Sequence, residues 1–240
     1  MKKGDARRSE LLAAAERLFY SKGYEQTSVQ DILDEVHFSK GGFYHHFDSK
    51  LSVLEAICQS RAQESCERAK EIVADPALSA VEKLNALFHG SALWQSDNSG
   101  FVSLLIHVAY REDGALMREK RKGYQLQGMQ ELLESILEQG ARSGEFFVTD
   151  MQSTASLLMR LYLQFSDEVA FLLAQEDNAD KLLEEIVKRL IVYRQAIERT
   201  LIAPFGSIVL FEAKELQLLA GNVLKSRLRQ RADAMLGLDK

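Results

Sequence analysis

The chain has 240 residues, of which 46% are hydrophobic and 27% charged. That suffices for one or two packed cores and is too apolar for bulk disorder. Two prolines and fourteen glycines, set against abundant Leu, Ala, Glu, Lys and Gln, point to long helices. They exclude collagen-like and Pro-rich chains and disfavour a β-sandwich, whose turn signals recur every ~8–12 residues. The net charge of −5 argues that the chain as a whole is not a binder of polyanions.

The N-terminus, MKKGDARRSE, is charged and has no signal-type apolar segment behind it. No stretch approaches the ~18 apolar residues of a membrane span. Cys58 and Cys66 lie eight positions apart in a helical pattern, ~12 Å along the axis and too far for a disulfide. The expectation is a cytoplasmic protein with two buried thiols, no membrane partner, no metal and no cofactor. It is also not an enzyme. There is no Glu-x-x-His, His-Glu-x-x-His, paired Cys-x-x-Cys, Gly-x-Ser-x-Gly or Walker loop.

In chain order, Leu11, Leu12, Ala15, Leu18 and Phe19 recur at helical spacing and predict a helix over 5–22, stopped at Gly23. Thr27 and Gln30 read as a capping box opening a second helix, with Val29, Ile32, Leu33 and Val36 facing inward. His37 and Phe38 form a turn. Ser39 caps a short third helix through about His46. Asp48 or Ser49 caps a fourth, which Asp75-Pro76 ends. Ser79 and Glu82 open a fifth, running to about residue 95. Residues 96–100 read as a loop, and 101–112 as a short helix broken near Asp113-Gly114. Long helices follow over 115–142, 150–175, 178–203 and 208–235. The predicted fold is all-α with about ten helices: a three-helix domain carrying a helix-turn-helix over 1–50, then a helical bundle over 51–240.

The third helix carries the functional signal. Its stretch, SKGGFYHHF from Ser39 to Phe47, contains two adjacent glycines, each costing up to ~1 kcal/mol against alanine in a helix. Gly41 and Gly42 make sense if the backbone must lie close to something. Ser39, Lys40, Tyr44, His45 and His46 crowd one element with hydrogen-bonding groups, while Phe43 and Phe47 anchor it inward. Such a helix suits a major groove, where base edges and phosphates both need donors.

Residues 7–54 resemble the DNA-binding domain of the TetR family of transcriptional regulators. The matching stretches are RRSELLAAAERLFYSKGYEQTSVQDIL and FSKGGFYHHFDSKLSVL. The resemblance implies a homodimeric, all-α repressor. Its N-terminal domains would bind a pseudo-palindromic double-stranded operator, and its C-terminal bundle would bind a small-molecule effector and dimerise. Carried over by position, Thr27 and Ser28 would contact phosphate at the start of helix two. Ser39, Lys40, Gly41 and Gly42 would face base edges or backbone. Tyr44, His45 and Lys50 would contact phosphates, beside the positive ends of helices. The family usually places a small residue and then glycine in the turn, where this chain has Val36 and His37. A non-glycine there must accept or avoid a left-handed backbone, and His is among the more tolerant types.

Residues 1–50 hold eight basic and eight acidic side chains, so the entire −5 belongs to residues 51–240. The basic groups gather in the arm (Lys2, Lys3, Arg7, Arg8) and around the short helix (Lys40, Lys50). The acidic total therefore does not exclude DNA; it predicts weak non-specific binding. In the bundle, Trp94, Phe101, His107, Tyr110, Tyr124, Tyr162, Gln164 and Phe165 are the candidates for an effector pocket, with His89, Met117, Met129, Met159 and Phe171 beside them. Leu157, Leu161, Phe165 and Leu172, with Leu182, Ile186, Leu190, Tyr193 and Ile197, mark wide stripes that correspond to the family's dimer interface. Lys225, Arg227, Arg229 and Arg231 form a basic run on the last helix, read as a solvated face. The competing reading is a helical adaptor that keeps the domain without binding DNA.

Overall fold

A computed structural model describes residues 3–89, 99–110, 114–126, 128–211 and 213–235. Within them the chain forms eleven helices and no strand. Helix α1 (Lys3–Ser21) buries Leu11, Ala14, Ala15 and Phe19, and Gly23 leaves it at φ +90°. Helix α2 (Val29–Glu35) opens one residue later than the expected capping box. Its cap is Ser28, whose hydroxyl accepts from the Asp31 amide at 3.1 Å while the Asp31 carboxylate accepts from the Ser28 amide at 2.7 Å. Thr27 cannot serve, because its hydroxyl turns inward and donates to the Gly23 carbonyl at 2.7 Å.

The end of α2 is a Schellman closure. The Phe38 amide donates to the Leu33 carbonyl at 2.9 Å and the His37 amide to the Asp34 carbonyl at 3.4 Å. His37 holds the left-handed position at φ +51°, where glycine is usual. Helix α3 (Lys40–His46) follows. Ser39 caps it by accepting from the Gly42 amide, and Phe43 is its buried anchor. Helix α4 (Lys50–Ala74) is capped reciprocally by Ser49 and Ser52 and ends before Pro76.

Six of the remaining helices build the bundle around α4: α5 (Ala80–His89), α6 (Ser99–Ala109), α7 (Ala115–Leu126), α8 (Met129–Ser143), α9 (Met151–Gln175) and α10 (Ala179–Leu201). The last, α11 (Ala213–Met235), packs on α6, α9 and α10. Helix α5 starts with the expected Ser79–Glu82 capping box. Helix α6 begins at Ser99, inside the stretch expected to be a loop. The single helix expected over 115–142 is two. Gly128 breaks it at φ +82°, and a Cβ there would come within 2.9 Å of the Cys66 sulfur. The last helix starts at Ala213 rather than Ile208. Residues 206–208 are held out of it by the buried Glu198 carboxylate, which accepts from the Gly206 and Ile208 amides at 2.8 and 3.3 Å.

One continuous apolar core runs from Leu11 and Phe43 through Leu54 and Ile57 to Leu133, Leu158 and Val223. It does not break at residue 50. Helix α4 packs against α1 and also against α5, α7 and α8.

The turn geometry yields a stability prediction. Glycine at position 37 relieves a left-handed non-glycine backbone, so His37→Gly should stabilise the protein by about 0.5–1 kcal/mol. Urea denaturation checks this; an unchanged or lowered midpoint contradicts it.

Candidate functional site

Two features stand out: the face carried by α3 and a cavity inside the bundle. The α3 face is set by where its aromatic anchors go. Phe43 is fully buried, and Phe47 is buried with its ring 5.8 Å from that of Phe43. This turns Lys40, Gly41, Tyr44 and His45 outward. Tyr44 stands half exposed, edge-on to Phe43. Arg8 of α1 lies 5.2 Å over the Phe47 ring, on the flank of the same face.

Of the nine residues expected to meet DNA, six are exposed: Ser28, Ser39, Lys40, Gly41, Tyr44 and His45. Three are placed otherwise. Thr27 is fully buried, with its hydroxyl bonded to the Leu18 and Gly23 carbonyls, so it braces the α1–α2 loop from inside. Gly42 faces inward. A Cβ there would lie 2.4 Å from the Phe38 ring, so its missing side chain makes room for Phe38 rather than for a nucleic acid. At Gly41 a Cβ would meet nothing within 4 Å, and the backbone is open to solvent.

Lys50 is the third. Its ammonium donates to the Tyr24 and Glu25 carbonyls at 2.6 and 3.3 Å and sits 4.3 Å over the Tyr24 ring. Partial burial pulls its pKa below the ordinary lysine value. It ties the start of α4 to the α1–α2 loop. Ser28 and Ser39, though exposed, also use their hydroxyls in helix caps.

The charge of this domain is likewise absorbed internally. Arg7 pairs with Glu10, Arg17 with Glu35 and Lys22 with Asp31. Lys40 has no ion-pair partner among the described residues, so it is a cation free to meet a phosphate.

The cavity lies between α4, α5, α6, α7, α8 and α9. Leu87, Phe88, Leu105, Met129, Leu133 and Met159 form its apolar wall. Four polar groups reach it: Arg61 and Ser65 of α4, and Arg121 and Gln125 of α7. Its internal volume is about 60 Å³. That holds a few waters, well short of a metabolite, so occupancy requires the lining to move. Met129 and Met159, unbranched and adaptable, are suited to that. Cys58 lines the same space as a free thiol pushed up to about 12 by burial, which leaves it protonated and unreactive.

The expected pocket residues divide sharply. Tyr162 lines the cavity, stacks on Phe88 at 5.1 Å and donates to the Phe88 carbonyl. Tyr110 and Tyr124 line separate, neighbouring spaces. Gln164 is exposed and bonds to Glu168 one turn on, so it is not a pocket residue. Phe165 is fully buried against Tyr193 and Phe211 and belongs to the core. Trp94 and the side chains of Phe101 and His107 lie outside the described residues, as do those of Arg227, Arg229 and Arg231. Sequence reasoning missed Arg61 and Arg121. Each sits in a stretch of mixed charge with nothing to mark it as inward-facing, and Arg121 is only 5% exposed. Among the described residues no cluster of His, Cys, Asp or Glu could hold a metal.

These placements separate fold from contact. Gly42→Ala forces Phe38 to shift and should cost about 1–3 kcal/mol of stability. Gly41→Ala should leave stability unchanged or raise it by up to about 1 kcal/mol while weakening DNA binding. Lys50→Met should lower stability by about 1–2 kcal/mol without changing the salt dependence of DNA affinity. Lys40→Ala should instead reduce that slope by about one per protomer. Thermal melts and anisotropy titrations at several salt concentrations check all four. A Lys50→Met protein with normal stability and a reduced slope would restore Lys50 as a phosphate contact.

Residues 11–57 match the family profile of the bacterial regulatory proteins of the tetR family. Over 150 residues the chain is 28% identical to the HTH-type transcriptional repressor KstR2 of Rhodococcus jostii, spanning 58% of this chain and 68% of that one. To KstR2 of Mycolicibacterium smegmatis it is 37% identical over 86 residues, 36% of this chain and 42% of the relative, so that match covers less than half of the relative's length. A TetR-family regulator from Pectobacterium atrosepticum has the same fold, with TM-score 0.62, 21% identity and coverage of 84% of this chain and 97% of the other. Bacillus subtilis FadR, solved in complex with stearoyl-CoA, is similar at TM-score 0.54 and 18% identity, covering 90% and 95%. The match over residues 11–57 makes the N-terminal helices similar to the DNA-binding part of the tetR family, and the all-α architecture of the chain is similar to that of solved members of that family.

Proposed function

We propose that the chain is a homodimeric repressor that leaves its operator when a small molecule fills the bundle cavity. The observation that carries this reading is the α3 face. Four outward groups that suit a groove, Lys40, Gly41, Tyr44 and His45, are held on a rigid aromatic base. Lys40 and Tyr44 are assigned to phosphate or base edges, and Gly41 to close backbone approach. The relatives that share this region are regulators of transcription rather than enzymes.

Dimerisation is assigned to the outer faces of α9 and α10. Leu157, Gln164 and Phe171 recur every seven residues along α9 and are exposed. Val187 and Ile191, one turn apart on α10, are exposed beside Val192. Large apolar groups left at the surface on two adjacent helices suit a four-helix contact with a second copy. The stripe expected from sequence is shifted, because Phe165, Leu182, Ile186 and Ile197 are buried within the chain. Among the described residues no helix is long and apolar enough to cross a membrane; a cytoplasmic location is part of this proposal.

The functional parts divide near residue 50, with residues 1–50 reading DNA and 51–240 binding effector and partner. Helix α4 serves both. Half-sites one turn apart demand recognition helices about 34–36 Å apart, so a small tilt of α4 releases the operator. A ligand acts only through its preference for one of the two states. That a protein of this fold holds stearoyl-CoA supports a ligand inside the bundle.

Anisotropy with a fragment from the chain's own upstream region should show nanomolar, salt-sensitive binding. Tyr44→Ala should weaken specific and unrelated duplexes alike. Phe171→Glu with Ile191→Glu should yield monomers in sedimentation and reduce operator affinity at least tenfold. A double variant that stays dimeric contradicts the interface; absence of binding to any genomic fragment favours the adaptor reading.

A further inference from the structure

The charged groups lining the cavity are all of one sign. Arg61 and Arg121 reach the lining, and no aspartate or glutamate does. The nearby carboxylates hold cations outside it. Asp167 is shared by Arg121 at 3.5 Å, Lys122 at 3.1 Å and the Tyr110 hydroxyl at 2.5 Å, and Lys122 also meets Glu119 at 3.4 Å. Glu55 holds Lys120 at 2.6 Å. Glu16 holds Arg61, which also donates to the Tyr20 hydroxyl at 3.1 Å. Arg121 is turned toward the cavity by the Gln125 side-chain oxygen at 2.9 Å. A largely apolar space whose wall carries two guanidiniums and no carboxylate favours a ligand with a greasy body and an anionic head.

The placement of Arg61 adds a second consequence. It stands on the cavity wall, yet its partners Glu16 and Tyr20 are on α1 of the DNA-binding part. An anion in the cavity competes with Glu16 for the same guanidinium.

We propose that the cavity binds a small amphipathic carboxylate whose head is taken by Arg121 and Arg61, and that this draws Arg61 off Glu16 and loosens α1 from α4. This rests on the reading of the chain as a ligand-released repressor and names the effector's chemical class and the contact that transmits its binding. The apolar body lies against Phe88, Leu105, Met129 and Met159, and the methionines yield to admit it. Removing the Arg61–Glu16 bridge frees the α1–α2–α3 unit to tilt on α4.

The test uses the full-length protein with straight-chain C8–C14 carboxylates and naphthoate, each paired with its neutral primary amide. Binding is read by calorimetry and operator release by anisotropy. At least one acid should bind ten times more tightly than its amide and release the operator, and Arg121→Gln should abolish the preference. Arg121→Lys, which keeps the charge, should retain part of it and so separates lost recognition from lost folding. Glu16→Gln, a conservative change at a partly exposed position, should tighten acid binding several-fold, leave amide binding unchanged and lower the acid concentration needed for release. Amides binding as well as acids, no acid binding at all, or a Glu16→Gln protein with unaltered acid affinity overturns the proposal while ligand-free operator binding stands. If the ligand-free protein binds no operator fragment, the underlying repressor reading falls, and this proposal with it.

Discussion

Helix α4 runs 25 residues without a break, roughly 37 Å at the standard rise. Its first half closes the core of α1, α2 and α3 through Val53, Leu54 and Ile57. Its middle walls the cavity through Cys58, Arg61, Ala62 and Ser65. A rigid rod shared by two packed units cannot tilt at one end without tilting at the other. That constraint is what lets a ligand between helices reach a recognition helix it never touches. Polar ties add to the apolar packing along the rod: Lys50 to the α1–α2 loop, Arg61 to Glu16 and Tyr20, Lys120 to Glu55, and Lys83 to the Val73 carbonyl. Surface ion pairs add little, but the Arg61 pair is half buried and specific in geometry, so it counts for more in position than in stability.

The α3 face depends on local devices that hold a seven-residue helix in one place. A helix this short does not persist alone. Ser39 caps its start, Phe43 and Phe47 bury beneath it, and Phe38 packs into the gap left by Gly42. The His37 turn sets the angle at which it leaves α2. Because carboxylates pair with Arg7, Arg17 and Lys22, and Lys50 is tied to carbonyls, little unpaired positive charge remains among the described residues of this part beyond Arg8 and Lys40. In the proposed dimer, recognition then relies on shape and on the spacing of the two copies more than on long-range attraction.

Much of this was legible in the sequence. The 3.6-residue apolar stripes gave the helices, and SKGGFYHHF marked the short one as exceptional. What failed to show was the direction in which small or amphipathic residues point. Thr27 and Ser28 are adjacent hydroxyls, and only the path of the chain after Gly23 decides that one turns inward and the other caps. Gly42 and Gly41 look alike until Phe38 is placed. Lys50 has the composition of a phosphate contact but finds carbonyls that are 25 and 26 residues earlier in the chain. Gly128 reads as a tolerated helical glycine until its positive φ and the neighbouring Cys66 sulfur are seen. The cavity was the least legible part, because aromatic and Met residues at helical spacing line a core and a pocket equally well. Its two arginines come from charge-rich stretches that resemble solvated faces.

The account turns on α4 transmitting cavity occupancy to the spacing of the two α3 helices. A spin label at His45→Cys in the dimer reads that spacing directly, since His45 is exposed while Cys58 and Cys66 are buried. Pulsed dipolar spectroscopy on the operator complex should give one narrow distribution consistent with half-sites about 34–36 Å apart. Addition of a releasing ligand should broaden it or shift it by several ångströms. An unchanged distribution in protein that has released its operator would contradict the account.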